Sequence, residues 1–341
     1  MKKYVTTCSL LSLILPLCLI VLVLLCSLTS CGKKDQKSGT TVRLNEVAHS
    51  IFYAPMYVAM EEGYFEDEGL NIQLETGFGA DKTMTALLSG EADIGFMGPE
   101  STIYTYQEDN TDYVVNFAQL TQRAGNFLVS RKKIDHFDWE MIKGKEVIGG
   151  RKGGMPQMIL EYVLKLKGMD PGKDVNLVQN IDFANTSGAF TGGTGDFTVE
   201  FEPQASLLEE QGAGYVVASL GVESGYVPYT CFSAKKSYMD AHPEIIQAFT
   251  NAIQKGMDFC ASHDAADIAK VIAPQFPDTD SALLTKIVDR YAAQDTFKEN
   301  AVFEKSSFML LQNILEEAGE LKETVPFEDL VDQTFAKKAI Q

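Results

Sequence analysis

The sequence carries none of the short signatures that mark the common enzyme chemistries of α/β proteins. GxGxxG, the phosphate loop GxxxxGK[ST], HExxH, GxSxG and CxxC are all missing, which removes the readings those spacings support. The four histidines, His49, His136, His242 and His263, are scattered, so no metal-ligand set or triad is visible. Neither a cofactor, a metal nor a catalytic residue is expected. Basic residues are also short: 29 Lys and Arg stand against 47 Asp and Glu, a net charge of −18. Such a surface repels phosphate backbones and disfavours nucleic acid as a partner. Cysteine is scarce, and with Cys8, Cys18 and Cys26 inside an N-terminal leader only Cys31, Cys231 and Cys260 are left. One leftover pair is no disulfide framework; Cys231 and Cys260 either bridge or stay as buried thiols.

What is present begins with that leader. Lys2 and Lys3, the absence of any acid and an apolar run over residues 10–28 read as a secretory signal peptide occupying residues 1–30. It ends in Leu28-Thr29-Ser30-Cys31, which resembles the lipobox of bacterial lipoproteins, with Cys31 as the lipidated residue and residues 31–41 as a polar tether. An uncleaved anchor is the other reading, because the run approaches a spanning length. Either way the folded part is expected on the extracytoplasmic face, tied to the cell membrane. The remaining chain, from 341 residues with 45% hydrophobic composition, is long enough for two domains with sizeable cores.

That remainder is organised around LLSGEADIGFMGPE, residues 87–100. A helix closed by Gly90, a short buried strand over residues 94–97, a break at Gly98 and Pro99 and a new helix follow one another. A strand that turns through glycine into a helix leaves N–H groups pointing into the space where open α/β sheets bind ligands. Pro55, Pro99, Pro156 and Pro203 each stand at such a helix start. Strands are expected at residues 41–47, 72–74 and 94–97, with helices from Pro55 and from Gly79, where Asp81 is the candidate N-cap. This βαβαβα run predicts a mostly parallel sheet. After strands at 113–120 and 126–130 the pattern restarts: strands 146–148, 175–178, 197–199 and 215–219, the Pro156 and Pro203 helices, and a glycine-rich loop at 187–196. A strand at 229–234 crosses back. Helices are expected at 243–262, 281–293, 306–318 and 327–338. Two crossings make a hinge suited to closure.

Several residues at these helix starts can contact a ligand. Ser50 can donate while Tyr53 stacks on a planar group, although Phe52 reads better as core and Ser50 can equally cap. Glu100 suits the helix macrodipole and can also accept from an amino group. Arg151, beside Gly153 and Gly154, is the one basic cluster at a predicted site and can hold an anion. In DFTVEFEP, Glu200 and Glu202 lie on one face of a strand, and acids near a cleft favour amino-bearing ligands.

These stretches resemble the substrate-binding proteins of bacterial ABC importers, in the branch for alkanesulfonates, taurine, nitrate and thiamine pyrimidine precursors. The resemblance is carried by EVAHSIFYAPMYVAMEEGYFEDEGL, LLSGEADIGFMGPE, KGKEVIGGRKGGMPQMILEYVLKLKG and FEPQAS, with GYFEDEGL and LLSGEADIG the more specific parts. It implies an α/β type II periplasmic-binding-protein fold: two lobes, a ligand cleft, a hinge, and docking on a membrane permease, the chain itself a monomer. Residues 42–125 and 230–341 form lobe I in this reading and residues 126–229 lobe II. By position, the cleft includes Ser50, Tyr53, Asp81, Gly98, Glu100, Gly154, Phe197 and Glu202. Tyr53, Phe197, Glu100 and either Glu200 or Glu202 suit a pyrimidine precursor. A sulfonate, taurine or nitrate would instead use helix N-termini and Arg151. The fungal enzymes that make the pyrimidine precursor share the fold, but their CCCFC motif is absent here.

Overall fold

The computed structural model describes residues 39–108 and 111–341. The expected signal peptide and the expected lipidation site Cys31 lie outside these residues, as does the stretch read as a tether except its last three positions, two of which, Thr40 and Thr41, already belong to a strand. The ten strands of the described residues form two five-stranded sheets. The first joins β1 (Thr40–Glu46), β2 (Leu70–Thr76), β3 (Ile94–Met97), β4 (Val114–Thr121) and β10 (Thr230–Lys235) in the order β2-β1-β3-β10-β4. The second joins β5 (Asn126–Ser130), β6 (Glu146–Ile148), β7 (Asn176–Val178), β8 (Phe197–Phe201) and β9 (Tyr215–Ser219) in the order β7-β6-β8-β5-β9. The chain leaves the first sheet after β4 and returns to it with β10.

Both sheets are mixed, which corrects the expectation of mostly parallel pairing. β1 pairs in parallel with β2 and β3, whereas β10 runs antiparallel to β3 and β4. The second sheet repeats this: β6 is parallel to β7 and β8, and β5 is antiparallel to β8 and β9. In each sheet one strand arriving from the other half runs against its two neighbours. β3, β4, β5 and β8 are buried along their whole length, the pattern of strands covered on both faces.

The first sheet's core is aromatic. Phe96 stacks on Phe232 at 4.3 Å between centroids, and Phe249 meets Phe232 edge-on at 5.1 Å. Phe249 comes from the helix Pro243–Ser262, which packs on the Pro55 helix, Ala54–Glu61. Gly256 makes that approach possible, because a Cβ there would overlap the Pro55 carbonyl.

Other local expectations give way to tertiary contacts. The helix over 327–338 is broken into Phe327–Leu330 and Thr334–Ala339, because Val331 bridges to Asn116 on β4. Thr186–Thr191 is helical inside the stretch read as loop, and Ala265–Ile272 is a helix that the sequence reading omits. Gly79, not Asp81, stands at the N-cap of Ala80–Ser89. Cys231 and Cys260 are free, the first buried and the second half-buried.

Candidate functional site

Between the two sheets lies a cavity of about 520 Å³, a size typical of small-molecule sites. Its walls are where β1, β3, β6 and β8 end: Val47, Ala48 and Ser50 follow β1, Gly98 follows β3, Gly150 to Pro156 follow β6, and Phe201 closes β8. This is the carboxyl-end position at which α/β sheets take ligands.

Glu100 is the chemical centre of the cavity. It opens the helix Glu100–Tyr106 and is only 2% exposed, and its Oε2 has no hydrogen-bond partner. The carboxyl folds back over Gly98, into the space that a Cβ there would occupy. Burial pushes the Glu100 carboxyl up to about 8, with its own backbone N–H pulling weakly the other way. A buried carboxyl with no cation to pair with keeps its proton. At neutral pH it therefore presents an O–H donor beside a carbonyl acceptor.

Aromatic rings complete the interior. Tyr53, 3% exposed, packs edge-on against Phe96 at 4.6 Å, and burial with Glu46 and Glu100 nearby pushes its phenol upward. Tyr229 is likewise buried and its hydroxyl is unpartnered. Tyr104, one turn after Glu100, donates its hydroxyl to the Gly153 carbonyl at 3.1 Å, joining the helix of the first sheet to the loop after β6. At the mouth the Arg151 guanidinium donates to Asp81 at 2.6 Å and stands 3.6 Å from Asp182. Lys152 faces Glu320 at 3.8 Å. These exposed pairs contribute at most about 1 kcal/mol each, but they fix the two walls against each other.

The structure thus brings Ser50, Tyr53, Asp81, Gly98, Glu100, Arg151 and Gly154 to one cavity wall. Ser50 is largely committed: it accepts from Phe52 N–H at 3.3 Å as the cap of the turn Ile51–Tyr53, and donates to the Glu202 carbonyl at 2.9 Å. Phe52 is core, packed among Tyr53, Phe201, Tyr229 and Tyr291.

Phe197, Glu200 and Glu202 are not on this wall, each for its own reason. Phe197 sits at the far end of β8 and packs against Phe137 at 6.2 Å. Phe201 faces the cavity, so Glu200, one residue away, faces the opposite side opposite Phe127. There it accepts from Thr198 at 2.7 Å and Thr186 at 3.0 Å, and burial pushes it up to about 7. Glu202 accepts from the Ser206 N–H and hydroxyl at 2.9 and 3.0 Å and is paired with Arg290. It ties the β8 turn to the helix Ser281–Ala293.

Wall residues missing from the sequence reading are Phe78, Met84 and Leu88 near the mouth and Tyr104, Phe201 and Tyr229 within. Tyr104 was recoverable, because i+4 on a helix falls beside Glu100. Tyr229 and Phe78 have no such local signal.

Comparison with known proteins places this architecture. The model of the family described as NMT1/THI5 like matches residues 51–266. The chain belongs to the NMT1/THI5-like family. Within reach of that family it is 46% identical over 321 residues to the "Putative binding protein YtlA" of Bacillus subtilis (strain 168), covering 94% of this chain and 96% of that one. It is 24% identical over 226 residues to the 4-amino-5-hydroxymethyl-2-methylpyrimidine phosphate synthase of Aspergillus parasiticus, covering 63% and 65%. Among solved structures, the alkanesulfonate-binding protein SsuA from Xanthomonas axonopodis pv. citri, bound to MOPS, superposes with a TM-score of 0.71 at 17% identity, over 87% of this chain and 99% of that chain. The periplasmic-binding fold expected from the sequence is the one observed. Among the described residues no helix is long and apolar enough to cross a membrane.

Proposed function

We propose that this NMT1/THI5-like chain is the solute-binding protein of an ABC-type importer and that its ligand is a small amino-bearing nitrogen heterocycle of the thiamine-pyrimidine-precursor kind. In this reading the chain is tethered outside the membrane through Cys31, does no chemistry, and hands its ligand to a permease. Residues 42–125 with 230–341 and residues 126–229 act as the two closing lobes.

The observation that carries the ligand class is Glu100. A neutral carboxyl offers a donor and an acceptor side by side, the complement of an amidine edge, in which a ring nitrogen accepts and an adjacent amino group donates. Tyr53 and Tyr229 supply flat apolar surface for the ring. An alkanesulfonate fits less well. The one guanidinium on the wall is bonded to Asp81 and close to Asp182, and Glu100 offers an anion nothing once ionised.

The test is thermal unfolding of the domain beginning at residue 39 with 4-amino-5-hydroxymethyl-2-methylpyrimidine, thiamine, taurine, hexanesulfonate and nitrate. A ligand at 100 times its dissociation constant stabilises by about 2.7 kcal/mol, so the midpoint should rise by roughly 5 °C with the aminopyrimidine. A rise only with sulfonates would replace this reading by the anionic one. Turnover of any of these compounds would replace it by an enzyme.

A further inference from the structure

Phe78, at the mouth of the cavity, breaks two rules at once. It is 58% exposed, the most exposed large apolar side chain among the described residues. Its backbone is also left-handed, with φ 57, a region that bulky side chains avoid and that glycine, asparagine or aspartate accept. The other described non-glycine residue with such a φ is Asp295, one of the tolerated types. Phe78 has neither that excuse nor a place in the core, so local folding does not account for a phenylalanine there.

The loop holds the residue in this pose. Gly77 N–H donates to the Glu46 carbonyl at 2.8 Å and Gly79 N–H to the Val47 carbonyl at 3.0 Å, so the backbone on both sides is fastened to the end of β1. Gly77 cannot carry a side chain, since a Cβ would lie 2.7 Å from the Asn45 amide oxygen and from the Thr83 hydroxyl. Phe78 lines the cavity, as do Met84 and Leu88. Strained residues persist where the surroundings over-determine them, and they gather at ligand clamps.

We propose that Phe78 is a ligand-contacting residue: a preset aromatic platform that stacks on the planar face of the bound molecule and so selects flat heterocycles over flexible chains. This rests on the cavity being the ligand site. A residue whose backbone is already held in place loses less freedom on binding, and stacking one base on one aromatic ring is worth about tenfold in affinity or more.

The experiment measures binding of 4-amino-5-hydroxymethyl-2-methylpyrimidine by calorimetry for wild type, F78A, F78L and F78W, together with unliganded melting of F78A and F78G. F78A and F78L should each bind about tenfold more weakly while F78W stays within about threefold, since an apolar but non-planar side chain does not restore stacking. F78G should melt above F78A, because both lack the ring and only glycine relieves the left-handed backbone. Wild-type binding that survives in F78A or F78L overturns this proposal alone. F78G melting at or below F78A overturns the strain on which it stands. Absence of binding to wild type overturns the aminopyrimidine reading and this proposal with it.

Discussion

Replacing Glu100 with glutamine should change the pH dependence of stability in a direction opposite to that of an ordinary salt-bridged acid. In the unfolded chain Glu100 titrates near the usual value of 4.5, and in the folded protein near 8. Between those values the native state holds a proton that the unfolded chain has lost. The stability contributed by this group is therefore fully present below about pH 4.5 and is lost as pH rises through 8. The slope is about 1.4 kcal/mol per pH unit, which amounts to about 4 kcal/mol between pH 5 and pH 8. Glutamine has the same shape and no proton to lose. Glu200, which burial raises to about 7, adds a similar slope in both proteins and drops out of their difference. Melting curves at half-unit steps from pH 5 to 9 should thus find wild type and E100Q alike at pH 5, with E100Q melting on the order of 5–10 °C higher by pH 8. Parallel profiles would show that Glu100 is ionised or paired in the folded protein, and would refute the reading of it as a neutral donor.

Two further outcomes separate architecture from recognition. Arg290→Ala leaves Glu202 buried without its guanidinium and should destabilise by about 3 kcal/mol, seen as a lower melting midpoint, while leaving aminopyrimidine affinity at 20 °C within about twofold, since neither residue lines the cavity. Tyr229→Phe removes a buried hydroxyl that has no partner; it should raise unliganded stability by about 1 kcal/mol and weaken aminopyrimidine binding about threefold or more. A loss of stability in Y229F would mean the hydroxyl is already satisfied within the protein.

The skeleton of the fold was legible where punctuation is strong. β5, β6, β9 and the helices Pro243–Ser262 and Ser281–Ala293 lie where alternation, proline starts and glycine stops put them. The antiparallel pairings around β10 and β5 were not, because strand direction in a sheet is decided by where the chain re-enters, not by local pattern. The break at Val331 has the same origin: its bridge to Asn116, followed by Asp332 N–H donating to the Asn116 carbonyl at 2.9 Å, overrides a sequence that could run on as helix.

On the cavity wall, residues next to helix starts were legible in the sequence and residues brought in from elsewhere were not. Gly98, Glu100, Arg151 and Gly154 follow their own strands into the cavity. The choice of Phe197 together with Glu200 and Glu202 was internally inconsistent, since odd and even positions of one strand face opposite sides. Neither face could be assigned to the cavity without knowing that Phe201 points there. Glu202 was misread because its partner, Arg290, lies 88 positions away in sequence.

The central claim is that a neutral Glu100 reads an amino-bearing heterocycle, and isothermal titration of 4-amino-5-hydroxymethyl-2-methylpyrimidine into wild type and E100Q at pH 7 tests it most directly. On this account wild type binds, E100Q, whose amide still sets a donor beside an acceptor, stays within about threefold, and E100L titrated alongside, which has neither, binds at least about tenfold more weakly. A tenfold loss in E100Q, undiminished affinity in E100L, or binding of taurine in place of the aminopyrimidine, would contradict it.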